Sequence, residues 1–245
     1  MFFAPPGRYE PCQMYSLGHL ILFSITVIGI ILGLHYTKKS NKEKVKIIIR
    51  KTVIILWVLE IIKIIFNILV GNISNPNHYI PLYYCSIILY AGILSGFSKG
   101  TFKKVGDVFI AVGAIVGGVF FLSCPNTSIT IYPAFHYLSV QSFVFHGMMI
   151  YLGILINITN YINLKLSDLK YYTVIVVVML FISYFVNKLL GTNFMFITNN
   201  FPNTPVDVIY KATGVFFTPV MCILHIIIPF GMVYPVRKLA IAVTK

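Results

Sequence analysis

The residues with the most chemistry in this chain are a cysteine, a histidine and a small set of polar groups set into apolar runs. Cys85 stands in Ile80-Pro81-Leu82-Tyr83-Tyr84-Cys85-Ser86, at the head of an apolar run that continues through Gly92. His146 closes Gln141-Ser142-Phe143-Val144-Phe145-His146. If the two side chains meet, they have the logic of an activated nucleophile. The imidazole takes the thiol proton, and the thiolate forms a covalent acyl intermediate. The oxyanion of acyl transfer needs donors, which Asn187, Asn193, Gln141 or a backbone N–H near Ser86 could supply. Glu60 is the acid placed by depth to orient His146, although a neutral amide can do the same work. Steps of three and four put Glu60, Lys63 and Asn67 on one helical stripe, with Glu60 and Lys63 able to pair.

Each of these residues also has a plainer use. Free cysteine often packs as a small hydrophobe. Glu60 with Lys63 can be an ion pair that fixes helix packing. A lone histidine in a helix, such as His146 or His225, is commonly a hydrogen-bonded packing residue, and His35 and His78 fall near span ends, where solvent accounts for them. His19 lies near the start of the first apolar run.

The elements that must carry these groups follow from composition. Of the 245 residues, 58% are hydrophobic and only 10% charged, against about 25% charged in an average soluble domain. Mean hydropathy is +0.88. So much apolar surface excludes a soluble fold and implies an all-α polytopic membrane protein. The formal charge of +13 would suggest nucleic acid in a soluble chain. Here the bases lie between apolar runs, so they imply orientation in the bilayer and attraction to anionic headgroups instead. Four cysteines without CxxC spacing give no zinc site, and no nucleotide-binding glycine motif is present.

At about 20 apolar residues per crossing, seven spans are expected. They cover about Ser16–Tyr36, Thr52–Gly71, Tyr79–Phe97, Val105–Leu122, His136–Ile158, Tyr171–Leu190 and Thr213–Tyr234. No small-residue cleavage site follows the first, which therefore reads as a retained helix. Lys38, Lys39, Lys42, Lys44, Lys46, Arg50 and Lys51 precede the second span. Lys99, Lys103, Lys104, Lys165, Lys170, Arg237, Lys238 and Lys245 fall on the same side, against only Arg8, Lys188 and Lys211 opposite. The positive-inside rule then gives an outside N-terminus and a cytoplasmic C-terminus, consistent with seven crossings. Residues 1–245 read as one polytopic membrane domain. On this topology Cys85 lies about 9 Å below the outer surface, and His146, Glu60 and Lys63 about 15 Å, by helical rise. A single polar pocket open toward the outer leaflet is the expectation. The outer loop from Gly191 to about Ala212 holds Phe194, Phe196 and Phe201 and could cover its mouth. Cys12 and Cys124 fall on this same side, where a disulfide could form.

Several segments resemble a known family. Ile80-Pro81-Leu82-Tyr83-Tyr84-Cys85-Ser86-Ile87 is similar to the Leu-Pro-Leu-His-x-Cys-Ser element of the YwaF-like integral membrane proteins, whose animal relatives are the transmembrane protein 164 acyltransferases. Tyr15-Ser16-Leu17-Gly18-His19-Leu20 resembles the family's opening His-Leu element. The Gln141–His146 segment resembles its Gln-Ser-x-x-x-His segment. Asn187 with Gly191-Thr192-Asn193-Phe194-Met195-Phe196 resembles its Gly-Thr-Asn-Tyr-Met-Phe segment. The likeness runs over about residues 15–230, and Tyr83-Tyr84 stands where family members often carry a histidine.

The resemblance implies fatty-acyl transfer to or between phospholipids and lysophospholipids in a cell membrane, with Cys85 as nucleophile and His146 as base. His19, Glu60, Lys63, Gln141, Asn187 and Asn193 would bind substrate or support the pair. No cofactor, metal or nucleic acid is expected, and the oligomeric state stays open. The abundance of Ile, Lys and Asn suggests an AT-rich, bacterial source. Two other readings compete. In a transporter or small-solute binder, Glu60, Lys63, His146 and His225 would line a path, although no repeat or broken helix is legible. In a metal site, His19, Glu60, Cys85 and His146 would supply the donors, without motif spacing to support them.

Overall fold

The computed structural model describes residues 1–71, 73–202 and 204–243. Asn72, at the head of the first outer loop, and Lys245, counted above among the bases, lie outside the described residues. Among these the protein is all-helical, at 74% helix. Six segments are long and apolar enough to cross a membrane. They are α1 (Leu17–Thr37), α2 (Lys42–Leu69), Gly100–Ser123, α6 (Tyr137–Ile158), Leu166–Leu190 and Pro205–Leu239. The third is one rod made of α4 (Gly100–Phe109), a π turn over Ile110–Ala114, and α5 (Ile115–Ser123). The last two contain α7 (Leu169–Leu190), and α8 (Pro205–Thr213) followed by α9 (Phe217–Val243).

The expected span at Tyr79–Phe97 is corrected by the structure. Its helical part is a single 3-10 turn, Tyr84–Ser86, leading into α3 (Ile87–Phe97). Fourteen residues reach only about 21 Å, short of the ~30 Å hydrocarbon core. Pro81 explains the break: it has no N–H for a helix, and it pushes Ile80 out of the α region. Cys85 is therefore in the first turn of a half-length helix rather than two turns inside a long one.

Other boundaries move for equally local reasons. α2 starts ten residues earlier than expected. Asn41 caps it by accepting from the Lys44 amide at 2.9 Å, and the lysines that follow are good helix formers. Part of the first basic loop is thus the end of a helix that projects beyond the apolar layer. Arg50 lies along that helix and donates from Nε to the Gly96 carbonyl at 2.6 Å, with its guanidinium 5.2 Å from the Phe97 ring centre. α9 continues past Tyr234 with Pro229 and Pro235 inside it.

The bundle is inside-out in the way lipid requires. Apolar side chains of α1 and α7 such as Ile25, Ile31 and Phe181 point outward, and helices that are apolar all round are those of membrane spans. Within the bundle, small residues allow close approach. At Gly106 of α4 a Cβ would stand 2.3 Å from the Ala91 carbonyl oxygen and 2.5 Å from the Ser95 nitrogen, so α3 and α4 pack almost backbone to backbone. Asp107, one residue on, accepts from the Ser95 hydroxyl at 2.5 Å and pairs with Lys103. α3 is locked to α4 and to α2, and its buried Ile87, Ile88 and Leu89 fix where its first turn ends up.

Candidate active site

Bilayer hydrocarbon tolerates non-helical backbone only where protein satisfies its polar groups. The segment before Cys85 is held at several points. The Pro81 carbonyl accepts from the Tyr90 hydroxyl at 3.2 Å, and the Leu82 carbonyl from the Ser183 hydroxyl of α7 at 3.1 Å. The Tyr83 hydroxyl donates to Asn77 Oδ1 at 3.2 Å. The Tyr84 and Tyr172 hydroxyls share a hydrogen bond of 2.5 Å, and Tyr172 donates on to the His225 carbonyl at 3.3 Å. α7, the loop around Asn77 and Tyr90 of α3 itself thus grip the turn that carries Cys85. The thiol itself is half-buried and free. The first turn bond runs from the Ser86 amide to the Tyr83 carbonyl at 2.9 Å. The amides of Tyr84 and Cys85 come before it, where helix N–H groups have no intrahelical acceptor. Such a terminus favours negative charge, on a thiolate or on an oxyanion.

Glu60 and Lys63 form the expected ion pair on α2 at 2.6 Å, with Glu60 buried and Lys63 about one quarter exposed. The Lys63 ammonium lies close enough to the loop after α2 to act on His78. Asn67, one turn further, donates to the Lys63 carbonyl at 2.9 Å and to the His78 carbonyl at 3.3 Å. It therefore ties the loop that leads to Cys85 back onto α2. His78 lies outside the spans. Burial, and then the Lys63 ammonium, hold its imidazole below the usual histidine value.

His146 is buried on α6, and its Nδ1–H donates to the Ser142 carbonyl at 2.7 Å. A carbonyl can only accept, so the proton sits on Nδ1 and Nε2 is left as the basic nitrogen. The Phe121 ring stacks on the imidazole, with centroids 3.7 Å apart and planes 7° from parallel. α5 joins the two halves of the region. Gly117 faces the Tyr84 ring, which a Cβ would meet at 3.2 Å, and Gly118 faces the His146 carbonyl, which a Cβ would meet at 2.9 Å. Among the described residues no hydrogen bond joins Cys85 to His146. What they share is the α5 wall.

The other expected site residues divide. Gln141 is buried on α6 and accepts from the Ser142 hydroxyl at 3.4 Å. His19 stands apart from Cys85: its Nδ1 accepts from the Tyr15 amide at 3.0 Å and its Nε2–H points to the Leu122 carbonyl at 3.4 Å. Phe143 packs against His19 on one side and against Phe121 on the other, so aromatic rings separate His19 from His146. Asn187 holds the turn after α7. It accepts from the Phe194 amide at 2.7 Å and the Thr192 hydroxyl at 2.8 Å, and donates to the Phe194 carbonyl at 3.0 Å. Asn193 accepts from the Thr198 and Asn199 amides at 3.2 and 3.1 Å. Its own amide donates to Asn77 Oδ1 at 3.1 Å. Asn193 thus reaches Tyr83 through Asn77, and Asn187 through Phe194, which with Phe196 packs on the Tyr83 ring.

Asn77, Tyr172, Ser183 and Phe121 escaped the sequence reading. Tyr172 and Ser183 interrupt an apolar run, which was the available signal; Asn77 and Phe121 look like ordinary loop and core residues. Cys12 and Cys124, which could have paired, are both free thiols, with Cys12 Sγ 3.1 Å from the Ser16 hydroxyl. Among the described residues no cluster of three His, Cys, Asp or Glu could hold a metal ion.

A multi-pass helical membrane protein with a half-helix gripped inside the bundle is the class that this architecture defines. The TMEM164 family matches residues 14–229, and the chain belongs to that family. No curated protein and no solved structure matches the chain.

Proposed function

We propose that the protein is an integral membrane acyltransferase that moves a fatty acyl chain to or between phospholipids through Cys85 and His146. The observation that carries this reading is the mounting of Cys85. A free thiol sits in the first turn of a short helix braced by Ser183 of α7 and by Asn77, and the α5 wall that lines this turn also lines a histidine with a free Nε2. In the first half-reaction His146 Nε2 accepts the thiol proton and the sulfur attacks an ester carbonyl of a phospholipid. The carbonyl–oxygen bond breaks, and the departing lysophospholipid alkoxide takes the proton from the imidazolium. In the second, a lysophospholipid hydroxyl gives its proton to His146 and attacks the thioester. The carbon–sulfur bond breaks and the thiolate recovers the proton. Amides at the head of α3 stabilise the oxyanion in both steps. Gln141, Asn187 and Asn193 support the site, and Glu60 holds Lys63 in place. His19 supports it at a distance by fixing the start of α1.

In this reading the chain lies in a cell membrane with its N-terminus outside and its C-terminus cytoplasmic. The extended stretch ahead of Tyr84 adds the reach that α3 lacks, at about 3.3 Å per residue, which makes a seventh crossing.

Intact mass after treatment with a lipid-like acyl electrophile tests the proposal on the membrane-embedded protein. One adduct is expected in wild type and none in Cys85→Ala or His146→Ala. Equal labelling of His146→Ala would leave Cys85 as a packing residue. The interrupted helix also favours a second reading, since transporters bind substrates where helices break. Solute uptake by proteoliposomes that is lost in Glu60→Gln, with no acyl adduct, would establish it.

A further inference from the structure

A groove on the lysine-rich side of the bundle lies outside the region of Cys85. It runs between α4 and α7, with Leu94 of α3 at its back, and encloses about 430 Å³. Buried Val105 and Ile175 form its floor, and exposed Phe102, Val174 and Val178 its edges. From Lys170 to Val178 it follows α7 for about 12 Å at 1.5 Å per residue. Beyond Thr101, Lys170 and Tyr171 the lining is apolar throughout.

The mouth is cationic. Lys104 is committed to the buried Asp168 at 2.7 Å, and Lys103 to Asp107. Lys170 has no carboxylate partner among the described residues. Its ammonium lies 5.1 Å from the Tyr171 ring centre, and Lys104 lies 4.6 Å from the same ring. The Tyr171 edge of the groove is therefore flanked by two cations, one of them unneutralised.

We infer that this groove is a binding site for one anionic phospholipid, with an acyl chain between α4 and α7 and the phosphate on Lys170. The shape and charge are complementary to such a molecule end to end: a long apolar slot directed into the membrane, and a free ammonium at headgroup level. Basic pockets between transmembrane helices are where acidic headgroups settle. The site contains none of the residues of the acyl-transfer reading and stands whether or not that reading holds.

Native mass spectrometry of the full chain in mild detergent tests it, with phosphatidylglycerol and phosphatidylcholine of matched chains. Wild type retains phosphatidylglycerol in preference. Lys170→Gln weakens that lipid about fivefold, the factor equivalent to the ~1 kcal/mol of one basic residue at an anionic headgroup, and leaves phosphatidylcholine unchanged. Val174→Trp fills the slot from an exposed position and lowers retention of both lipids. Lys38→Gln, an exposed lysine on the first loop, removes the same charge without effect. Cys85→Ala binds as wild type does. Equal loss in Lys170→Gln and Lys38→Gln would mean diffuse attraction and overturn the site. So would indifference to the headgroup, or a Val174→Trp chain that binds as before.

Discussion

His78 shows how the buried ion pair governs its surroundings. Burial and the Lys63 ammonium both disfavour its charged form. His136, the N-cap of α6, is lowered as well: burial leads and the chain's amino terminus adds to it, against a hydrogen bond from Nε2–H to the Ala4 carbonyl at 3.0 Å. For a histidine lowered in the folded state, the unfolded chain binds the extra proton as pH falls below its ordinary 6.5. Stability therefore rises with pH through the window below that value and is fully present above it. The melting temperature in detergent is expected to fall between pH 6.5 and pH 5, and less so in His78→Gln. An unchanged slope in that variant would remove His78 as a contributor. Cys85 and His146 belong to the same scale, and the adduct experiment asks whether they act as a working pair.

The element that matters most is α3 with the extended stretch before it. A half-helix in the membrane persists only because side chains satisfy the stretch before it: Tyr90 of α3 the Pro81 carbonyl and Ser183 of α7 the Leu82 carbonyl, with Asn77 anchoring the Tyr83 hydroxyl. The turn after α7 is the outer brace of this assembly. Gly191 ends α7 at φ +65°, and Met195 and Phe196 follow at φ +56° and +52°, conformations that non-glycine residues adopt only when neighbours hold them. Asn187 does the holding. Asn187→Ala would leave the buried Phe194 amide and Thr192 hydroxyl without their acceptor, at a cost of about 1–3 kcal/mol for each such group. A clear fall in melting temperature is expected, with earlier proteolysis at residues 192–198. A variant as stable as wild type would show that water replaces the asparagine.

Across the whole molecule, charge is segregated. Lysines crowd one end of the bundle, where two buried aspartates anchor Lys103 and Lys104, while the Cys85 turn and the Asn187 brace lie toward the other. With the proposed topology, a membrane-impermeant maleimide added to intact cells should label exposed Cys124 and leave a cysteine placed at Lys38 unlabelled. The reverse pattern would invert the orientation and put the Cys85 turn toward the cytoplasmic leaflet.

Composition and apolar run length determined the class unaided, because a chain this poor in charge has no soluble way to hide its apolar surface. Local patterns also foretold Glu60 with Lys63, three and four residues being one helical turn. Tertiary structure decided the rest. Pro81 lies in a run whose hydropathy reads as a full helix. Whether such a run breaks depends on whether side chains can satisfy the freed carbonyls, and the Leu82 carbonyl finds its donor in Ser183, a hundred and one residues further along the chain. Likewise, topology let His19 and His146 enter from the same side, but helix packing set Phe121 and Phe143 between them and turned His19 to Leu122. Depth is a one-dimensional quantity that a sequence carries; which faces meet across the bundle is fixed only when the helices pack.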